Sequence, residues 1–341
     1  MTMILVTGGT GIVGSHLLYE LVQQKEVVRA TYRSKSTLEK VRLVFSYYIE
    51  NHQELFEQVE WVQADINDIP ALQKAFKNIT TVYHCAAMVS FEPQKFKQLK
   101  KINIEGTANV VNIALTKGIK KLCYVSSVAA LGSEIDAEMM INENSPWNNE
   151  LDHNVYAISK HGAEMEVWRA IQEGLNAVII NPGLILGPGF WDGESSGQLF
   201  KLIKEGMRYY TTGISGYVDV WDVVKAMVKL MHSDISSERF TLVSENISFK
   251  HFQKEVAKQL NVKPPKKKAS TTLLEVAWRI DWLRFHLFGG YRKLSKQTAR
   301  TANSINKYDN SKIKEVLNFE FTPVRESIKK VCQYYQKDLK N

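Results

Sequence analysis

The sequence predicts an α/β fold: a doubly wound parallel sheet with a smaller, mostly helical C-terminal lobe. Strand-like apolar runs alternate with helical patterns over about the first 180 residues, which is typical of strand–helix–strand units. The run 81–85 is nearly all apolar, as expected for a strand with both faces covered by helices. A glycine-rich turn at 8–14 separates the first strand from the first helix. We therefore predict a sheet domain at 1–180, to which some later segments return, and a second lobe at 181–341.

The individual elements follow from hydrophobic periodicity taken in chain order. Strands are predicted at 3–7, 27–32, 59–64, 81–85, 122–126 and 177–180. Helices are predicted at 11–24, 72–76, 96–116 and 155–173, with a further helical insertion at 34–58. After Pro182 the alternation becomes irregular, and helical patterns occur near 197–205, 219–232, 248–260, 271–288 and 323–336.

Composition and cysteine usage restrict the class of protein. Of the 341 residues, 44% are hydrophobic and 23% are charged, which is ordinary for a globular chain. The first residues lack the basic region and cleavage site of a secretory signal, so we expect none. Three scattered cysteines predict neither a disulfide framework nor a metal site, and they fit a reducing cytoplasm. We also expect no nucleic-acid partner.

The net charge of +8 is distributed unevenly. Residues 250–341 contain 21 Lys and Arg against 8 Asp and Glu, whereas residues 1–249 contain 23 against 28. The basic part includes four lysines within 263–268. Such a segment could meet an acidic partner, a phosphorylated substrate or the surface of an anionic membrane. A solvated basic surface is the alternative.

The glycine-rich turn predicts a phosphate-binding loop. Gly8, Gly11 and Gly14 follow a strand directly and open a helix, which is the context that makes this pattern specific. Glycines let the backbone approach a pyrophosphate, and the helix N-terminus supplies unpaired N–H groups and a positive dipole. The sheet domain is therefore predicted to be a dinucleotide-binding Rossmann domain, with these candidate contacts: Thr7, Gly8, Gly11, Ile12, Val13 and Gly14.

The end of the second strand bears on the choice between NAD and NADP. An acidic residue there would bind the ribose 2′-hydroxyl, but this chain has Arg33 and Lys35, which can meet a 2′-phosphate. NADP is therefore favoured, with NAD as the alternative. Further candidate contacts follow the third and fourth strands: Asp65 and Ile66 at the adenine, Ala86 and Ala87 at the nicotinamide.

A tyrosine and a lysine form the candidate catalytic pair. Tyr156 and Lys160 lie four residues apart, on one face of a predicted helix. A neighbouring cation stabilises phenolate, so the pKa of Tyr156 is expected to fall toward neutrality. Such a phenol can give a proton to a carbonyl oxygen while hydride arrives from the cofactor. Ser126 and Ser127, at the end of the fifth strand, can hydrogen-bond the same oxygen.

These segments resemble the extended short-chain dehydrogenase/reductase family, which includes NAD-dependent epimerases and dehydratases. The resemblance runs from Thr7 to about Phe240 and rests on 7–14, 124–132, 156–160 and 181–188. It implies that Tyr156 is the general acid/base and that Lys160 holds the ribose hydroxyls. It also selects Ser127 over Ser126, suggests a supporting role for Asn103 (with a helix-surface Asn as the alternative), and adds to the cofactor site Asn181, Pro182 and Gly183.

Two branches of that family compete. One reduces ketones or oxidises alcohols, like dihydroflavonol reductases and 3β-hydroxysteroid dehydrogenases, and the other transforms nucleotide sugars. Arg33 and the segments 294–300, 308–314 and 319–323 resemble the first branch, and the second usually carries an Arg where this chain has Asn181. We therefore favour an NADP-dependent oxidoreductase for a bulky, apolar small molecule. A nucleotide-sugar epimerase or dehydratase, and a non-catalytic NADP-binding sensor or scaffold, are the alternatives.

Residues 273–291 are rich in bulky apolar and aromatic side chains. Arg279, Asp281 and Arg284 interrupt them, so a membrane-spanning helix is not expected. One interpretation of the segment is a lid over an apolar substrate, which could also touch a membrane surface. The alternative is an ordinary packed helix. By analogy alone, the helices 96–116 and 155–173 would pair in a homodimer.

Overall fold

A computed structural model describes residues 3–132, 140–192, 196–289 and 302–340, together with Lys296 and Ala299. Its strands are β1 Met3–Thr7, β2 Val27–Tyr32, β3 Glu60–Gln63, β4 Thr81–His84, β5 Lys121–Val125, β6 Ala177–Pro182, β7 Leu184–Leu186, β8 Tyr209–Tyr210, β9 Ile214–Asp219, β10 Glu238–Leu242, β11 Glu245–Ser248 and β12 Lys267–Lys268. Tyr291 and most of the segment 294–300, which the sequence analysis used, lie outside the described residues.

The α-helices are α1 Ile12–Gln23, α2 Leu38–Ser46, α3 His52–Glu57, α4 Ile69–Ala75, α5 Phe96–Leu99, α6 Gly106–Thr116, α7 Val155–Gln172, α8 Gly197–Lys204, α9 Val220–Met231, α10 Phe249–Gln259, α11 Thr271–Phe288, α12 Ser311–Leu317 and α13 Val324–Asp338. A π-helical turn, Lys100–Glu105, joins α5 to α6, so the predicted helix 96–116 is continuous but not uniform. The predicted insertion at 34–58 is helical, as α2 and α3, and it packs against α1.

Seven parallel strands form the main sheet in the order β10-β6-β5-β4-β1-β2-β3. The chain runs outward from β1 to β3, returns to β4 beside β1, and then runs outward in the other direction. This confirms the predicted doubly wound fold. The direction reverses between β1 and β4, and ligands of such sheets bind at the carboxyl ends of the strands next to this reversal.

Two apolar layers cover the sheet because alternate side chains of each strand point to opposite faces. Ile4 and Val6 of β1 pack with α1, α2 and α9 on one face. Leu5, from the same strand, packs with α4, α6 and α7 on the other. The core positions of β1 are fully or almost fully buried. This burial fixes the position of the strand in the sheet, and so the position at which the following loop begins.

The second lobe is helical, but it contains strands that the sequence did not predict. A three-stranded sheet has the order β11-β9-β7, and a second small sheet pairs β12 with β8. Helices α8, α10 and α13 pack around Phe200, Phe252 and Val331. All of these strands except β9 are short, and β11 is also mostly polar, which leaves too few residues for a period of two. Among the described residues, no helix is long and apolar enough to cross a membrane.

Candidate active site

The glycine loop lies at the end of β1, at the point where the strand order reverses. Gly8 has a φ of +70°, and a Cβ there would lie 2.5 Å from the backbone nitrogen of Ala86. A Cβ on Gly14 would overlap with the carbonyl oxygen of Gly8. The loop is closed by the Gly11 N–H, which donates to the Gly8 carbonyl over 3.0 Å. Helix and strand therefore approach as closely as backbone atoms permit.

The start of α1 fits the phosphates of a dinucleotide. Helix α1 begins at Ile12, and its N-cap, Gly11, has no side chain that could occupy the first N–H groups. Those donors and the helix dipole point toward the carboxyl edge of the sheet. Val13 is buried beneath them, and Thr7 is buried at the end of β1. The uncapped N–H groups at the start of α1, in a loop where Gly8 and Gly14 let strand and helix approach closely, are the observation that favours a bound pyrophosphate.

The predicted adenosine contacts lie along the same edge. Arg33 and Lys35 are exposed, and neither side chain forms an ion pair with a described residue. Asp65 accepts hydrogen bonds from the backbone and side chain of Asn67, so it shapes the turn after β3. Ile66 is buried against α6, where a Cβ on Gly106 would lie 2.5 Å from its Cδ1 atom.

The serine pair at the end of β5 divides into a buried and an accessible residue. Ser126 is buried and donates to Glu164 Oε2 over 2.6 Å. Ser127 is half-buried, and its Oγ accepts from the Ala129 N–H over 3.1 Å. The carbonyl of Ser127 accepts from Asn181 Nδ2 over 3.0 Å. The structure thus leaves the hydroxyl of Ser127, the residue that the resemblance selected, beside the Tyr156 phenol.

Tyr156 lies in the first turn of α7. The Asn154 side chain caps this helix by accepting from the Ala157 N–H over 2.7 Å, which fixes where the turn begins. Burial raises the pKa of the Tyr156 phenol, and the nearby Ser127 hydroxyl lowers it by less. The predicted fall of this pKa toward neutrality is therefore wrong. Desolvation of the phenolate is larger than any stabilisation that it receives here.

Lys160 explains why the predicted fall does not occur. Its Nζ atom donates to the Tyr124 hydroxyl over 2.8 Å and to the Val125 carbonyl over 2.9 Å, and not to Tyr156. It also lies 4.6 Å from the centroid of the Tyr124 ring. Burial lowers the pKa of Lys160 to about 7, although Glu164 raises it in part. The lysine and Tyr156 share a helix face, but the ammonium group is directed toward β5.

A buried chain of polar groups connects the glycine loop to Lys160. The Thr7 hydroxyl lies 2.6 Å from His84 Nδ1, and His84 Nε2 lies 3.0 Å from the Thr107 hydroxyl. Thr107 in turn lowers the pKa of the Tyr124 phenol, which burial raises well above its ordinary value. Burial lowers the pKa of His84 to about 3, so its ring is neutral. One ring nitrogen then donates a hydrogen bond within this chain of polar groups, and the other accepts one.

Asn103 is fully buried, so the helix-surface alternative is wrong. Its Nδ2 donates to the Met88 carbonyl and to the Ser159 hydroxyl, each over 2.9 Å, and its Oδ1 accepts from the Met88 N–H over 2.7 Å. It therefore ties the loop after β4 to the residue next to Lys160. That loop includes Ala86, which abuts Gly8, and the exposed Ala87.

Glu164 was missed by the sequence reasoning. It is fully buried one turn after Lys160, where it accepts from Ser126, from Asn181 Nδ2 over 2.8 Å, and from Arg239 Nη1 over 2.8 Å. These bonds tie the carboxyl ends of β5 and β6 together beneath Ser127. Its position on the buried face, four residues after Lys160, was the only signal in the sequence.

The predicted cofactor residues at the end of β6 and just after it have different surroundings. Asn181 and Pro182 are buried, and the Oδ1 atom of Asn181 is a buried acceptor for which the described residues provide no donor. A Cβ on Gly183 would lie 2.5 Å from the Gly216 carbonyl oxygen, so this glycine permits the close approach of β9. Asn181 thus carries one of the buried acceptors that lack a donor among the described residues.

A cavity of about 370 Å³ lies behind the site, lined by Trp147, His161 and Arg239 among others. Its cation is already engaged, because Arg239 forms an ion pair with the buried Glu164 and donates to the Glu143 carbonyl. His161 is the residue after Lys160 in α7. Its ring belongs to the helix face that packs against the Ala130 carbonyl. We therefore do not assign this cavity to the substrate of the Tyr156 site.

The parallel sheet is doubly wound, with a glycine loop at its reversal point. At the same edge lie Ser127, Tyr156 and Lys160. Together these features define a class of dinucleotide-dependent enzymes. The chain belongs to the NAD dependent epimerase/dehydratase family, whose model matches residues 4–242. The predicted family is confirmed, and with it an NAD(P)-dependent oxidoreductase with a nicotinamide dinucleotide as its cofactor.

Several curated relatives with similar sequences are named as reductases. The chain is 30% identical to a Synechocystis protein named, provisionally, a dihydroflavonol 4-reductase, over 80% of this chain and 77% of the relative. It is 26% identical to cinnamoyl-CoA reductase 1 of Petunia hybrida, over 72% and 73%. It is 27% identical to anthocyanidin reductase of Arabidopsis thaliana, over 71% and 76%.

Solved structures show the same fold over nearly the whole chain. The crystal structure of gox2253 has a TM-score of 0.80 and 25% identity, and the match covers 99% of both chains. The UDP-glucose 4-epimerase of Thermotoga maritima has a TM-score of 0.77 at 20% identity, covering 99% of this chain and 100% of that one. At that identity the second likeness shows the fold alone.

Proposed function

We propose that this protein is an NADPH-dependent carbonyl reductase for a bulky, apolar small molecule. The observation that carries the proposal is the placement of the Tyr156 phenol, beside the Ser127 hydroxyl at the edge that also bears the glycine loop. A phenol with a raised pKa holds its proton at neutral pH, and the protonated form is the one that a reductase needs. The reductases among the curated relatives support the same direction.

The chemistry of each side chain follows from its position. A bound NADPH supplies the hydride that reduces the carbonyl carbon. The hydroxyls of Ser127 and Tyr156 hydrogen-bond the substrate oxygen, and Tyr156 transfers its proton to that oxygen as negative charge develops there. The phenolate then takes up a proton from solvent. Lys160 provides a buried amine close to this edge, held by Tyr124 and the Val125 carbonyl.

An apolar wall beside Tyr156 supports a bulky, apolar substrate. The Phe91 ring lies edge-on to the Tyr156 ring with centroids 5.5 Å apart. Phe91 and Val89 are both exposed, and both belong to the loop that Asn103 ties down. Exposed apolar side chains around a proton donor favour binding of aromatic or aliphatic groups. Asn181, by contrast, is buried and offers no cation to a sugar nucleotide.

The test of the mechanism is Tyr156→Phe. NADPH oxidation should be followed with aromatic aldehydes and ketones, with acetone as the small carbonyl compound. We expect kcat to fall by about two to four orders of magnitude, while NADPH binding is unchanged, because only the proton donor is removed. Tyr209→Phe is the matched control, since Tyr209 is an exposed phenol on β8.

Three results would contradict the proposal. An unchanged rate in Tyr156→Phe would exclude the phenol as proton donor. Interconversion of UDP-sugars without net oxidation of NADPH would indicate an epimerase. NADPH binding with no turnover of any carbonyl compound would indicate a sensor or scaffold.

The preference for NADPH is proposed from Arg33, which is exposed at the end of β2. Its backbone carbonyl is held by the Gln63 side chain over 3.1 Å, so the base of the side chain is fixed. Arg33→Asp should lower the ratio of NADPH to NADH affinity by at least about tenfold, because the carboxylate repels a 2′-phosphate and can bind the ribose hydroxyl. The exposed Lys329→Asp changes charge equally on α13 and should leave the ratio unchanged.

A homodimer is a separate proposal. Helices α5 and α7 expose Phe96, Ile158 and Met165, which could pack across a two-fold axis. Light scattering of the purified protein measures the oligomeric state directly.

A further inference from the structure

Helix α11 carries an apolar stripe on its outer face. Five aliphatic side chains recur at intervals of three and four residues, so they line one side of the helix. They are between 36% and 66% exposed, and exposure is highest at the C-terminal end, where Phe288 is 83% exposed. The stripe consists of Leu273, Val276, Ile280, Leu283 and Leu287.

The opposite face attaches the helix to the protein and carries its polar contacts. Among the described residues of α11, Leu274 is the one that is buried. It packs with Ala269 and Ala299 near the N-terminal end of the helix. Asp281, mostly buried, forms an ion pair with Arg284 over 3.0 Å. Glu275 and Asp281 are the less exposed partners of Arg279 and Arg284, and a full stripe of aliphatic side chains faces solvent, where an ordinary surface helix carries polar ones.

The sequence on both sides of this stripe is basic. Residues 256–308 contain twelve Lys and Arg, against two acidic residues, Glu275 and Asp281. The lysines just before α11 are exposed, and two of them form β12, which pairs with β8 and so holds a fixed position. Ala269, the residue after Lys268, packs against Leu274, so these lysines lie beside the N-terminal end of α11.

We propose that α11 and the lysines of β12 dock on the surface of an anionic lipid membrane. An amphipathic helix with an aliphatic face and basic neighbours lies in the plane of such a surface, with its aliphatic side chains among the acyl chains. The helix does not span the bilayer, in agreement with its four charged residues. The ligand is the lipid surface itself: anionic headgroups for the lysines, and acyl chains for the stripe.

Charge favours a lipid surface over a second copy of the chain. A two-fold pairing through the stripe would bring two segments with a net charge of +10 together. Like charges at that distance repel, whereas anionic headgroups neutralise the same residues. A helix pair of this kind is therefore an outcome of the test that would overturn the proposal.

The first experiment uses the wild-type protein. It is sedimented with vesicles of phosphatidylcholine alone, and with vesicles of phosphatidylcholine and phosphatidylglycerol, at low and high salt. We expect binding to the mixed vesicles that is at least tenfold stronger than to the neutral ones and that weakens as salt increases. If the same fraction of protein stays in the supernatant with both kinds of vesicle, the proposal is overturned. The wild-type protein alone decides this outcome.

The second experiment separates the two contributions. Leu283→Glu with Leu287→Glu should reduce binding at least tenfold, because both side chains must leave the acyl region. Lys267→Glu with Lys268→Glu should reduce it and also flatten its salt dependence. The matched control, Val316→Glu with Leu339→Glu, alters exposed aliphatic residues elsewhere and should bind as wild type does.

Folding of each variant is checked by thermal denaturation, and its mass by light scattering. Binding of the stripe variant equal to that of wild type overturns the proposal. A wild-type dimer that this variant converts to monomers, with no vesicle binding by either protein, assigns the stripe to a second copy instead.

Discussion

Lys160 lies buried at the centre of the site, where its ionisation is coupled to folding. Burial lowers its pKa from 10.5 to about 7. Between these pH values the unfolded chain binds a proton at Lys160 that the folded chain has lost, so the unfolding free energy rises with pH across this window. Below about pH 7 both states are protonated, and the residue then contributes no pH dependence.

We predict that Lys160→Met removes this component of the pH dependence. Relative to the variant, the wild-type protein should gain on the order of a few kcal/mol of unfolding free energy between about pH 7 and pH 10. Urea denaturation of both proteins at intervals across this window measures the difference. The exposed Lys329→Met should parallel wild type. Parallel curves for wild type and Lys160→Met would contradict a lowered pKa.

At this scale the sequence located the candidate catalytic residues better than it described their environment. Spacing alone placed Tyr156 and Lys160 on one helix face, because a helix has a fixed period. The direction of the ammonium group depends instead on Tyr124 and on the Val125 carbonyl, which a strand distant in sequence supplies. For the same reason Glu164 could not be assigned a role, since its partners Ser126, Asn181 and Arg239 come from three different strands.

The loop between β1 and α1 contains glycines that are needed for two different reasons. A Cβ on Gly14 would overlap with the Gly8 carbonyl and lie 2.8 Å from Gly9 Cα, so the chain itself excludes it. A Cβ on Gly11 would be 3.5 Å from the nearest atom, an ordinary contact, and the φ of −90° at Gly11 suits alanine. Only a bound pyrophosphate would then require glycine at position 11.

We predict that two alanine substitutions separate these reasons. Gly14→Ala should lower the unfolding free energy by about 1–3 kcal/mol, because backbone atoms must move. Gly11→Ala should leave stability unchanged and weaken NADPH binding at least about tenfold, because its methyl group occupies the side from which the phosphates approach. Thermal denaturation without and with NADPH measures both effects. Equal loss of stability in the two variants would contradict the distinction.

Other elements show where periodicity stops being informative. The helix 96–116 was predicted from its apolar spacing, but the π-helical turn at Lys100–Glu105 inserts an extra residue per turn and places Asn103 inside. Hydrophobic spacing does not reveal such a turn. One inserted residue changes which side chains face the core, but the apolar spacing still looks helical. Asn103 was therefore left undecided between a supporting and a surface role, although its three hydrogen bonds fix the loop after β4.

For the whole molecule, the chain order of segments differs from their order in space. Strand β10 pairs with β6 and completes the main sheet, although it follows most of the strands of the second lobe in sequence. Helix α9 packs on α1 as part of the same apolar layer. The sequence predicted that later segments return to the first domain, but the pairing partner could not be read from it, because parallel pairing leaves no local signature.

We predict that residues 1–182 alone do not fold cooperatively. Truncation there removes β10, which leaves β6 as an open edge, and removes α9, whose Val223, Val224, Met227 and Leu230 are completely buried. At about 1.5–3 kcal/mol for each buried aliphatic side chain, the loss is comparable to the whole net stability of a typical domain. Circular dichroism with urea denaturation should show a broad transition, whereas residues 1–248, which keep β10 and α9, should show a steeper one. A cooperative transition in both fragments would indicate that the first 182 residues form a domain without the strand and helix that return to it.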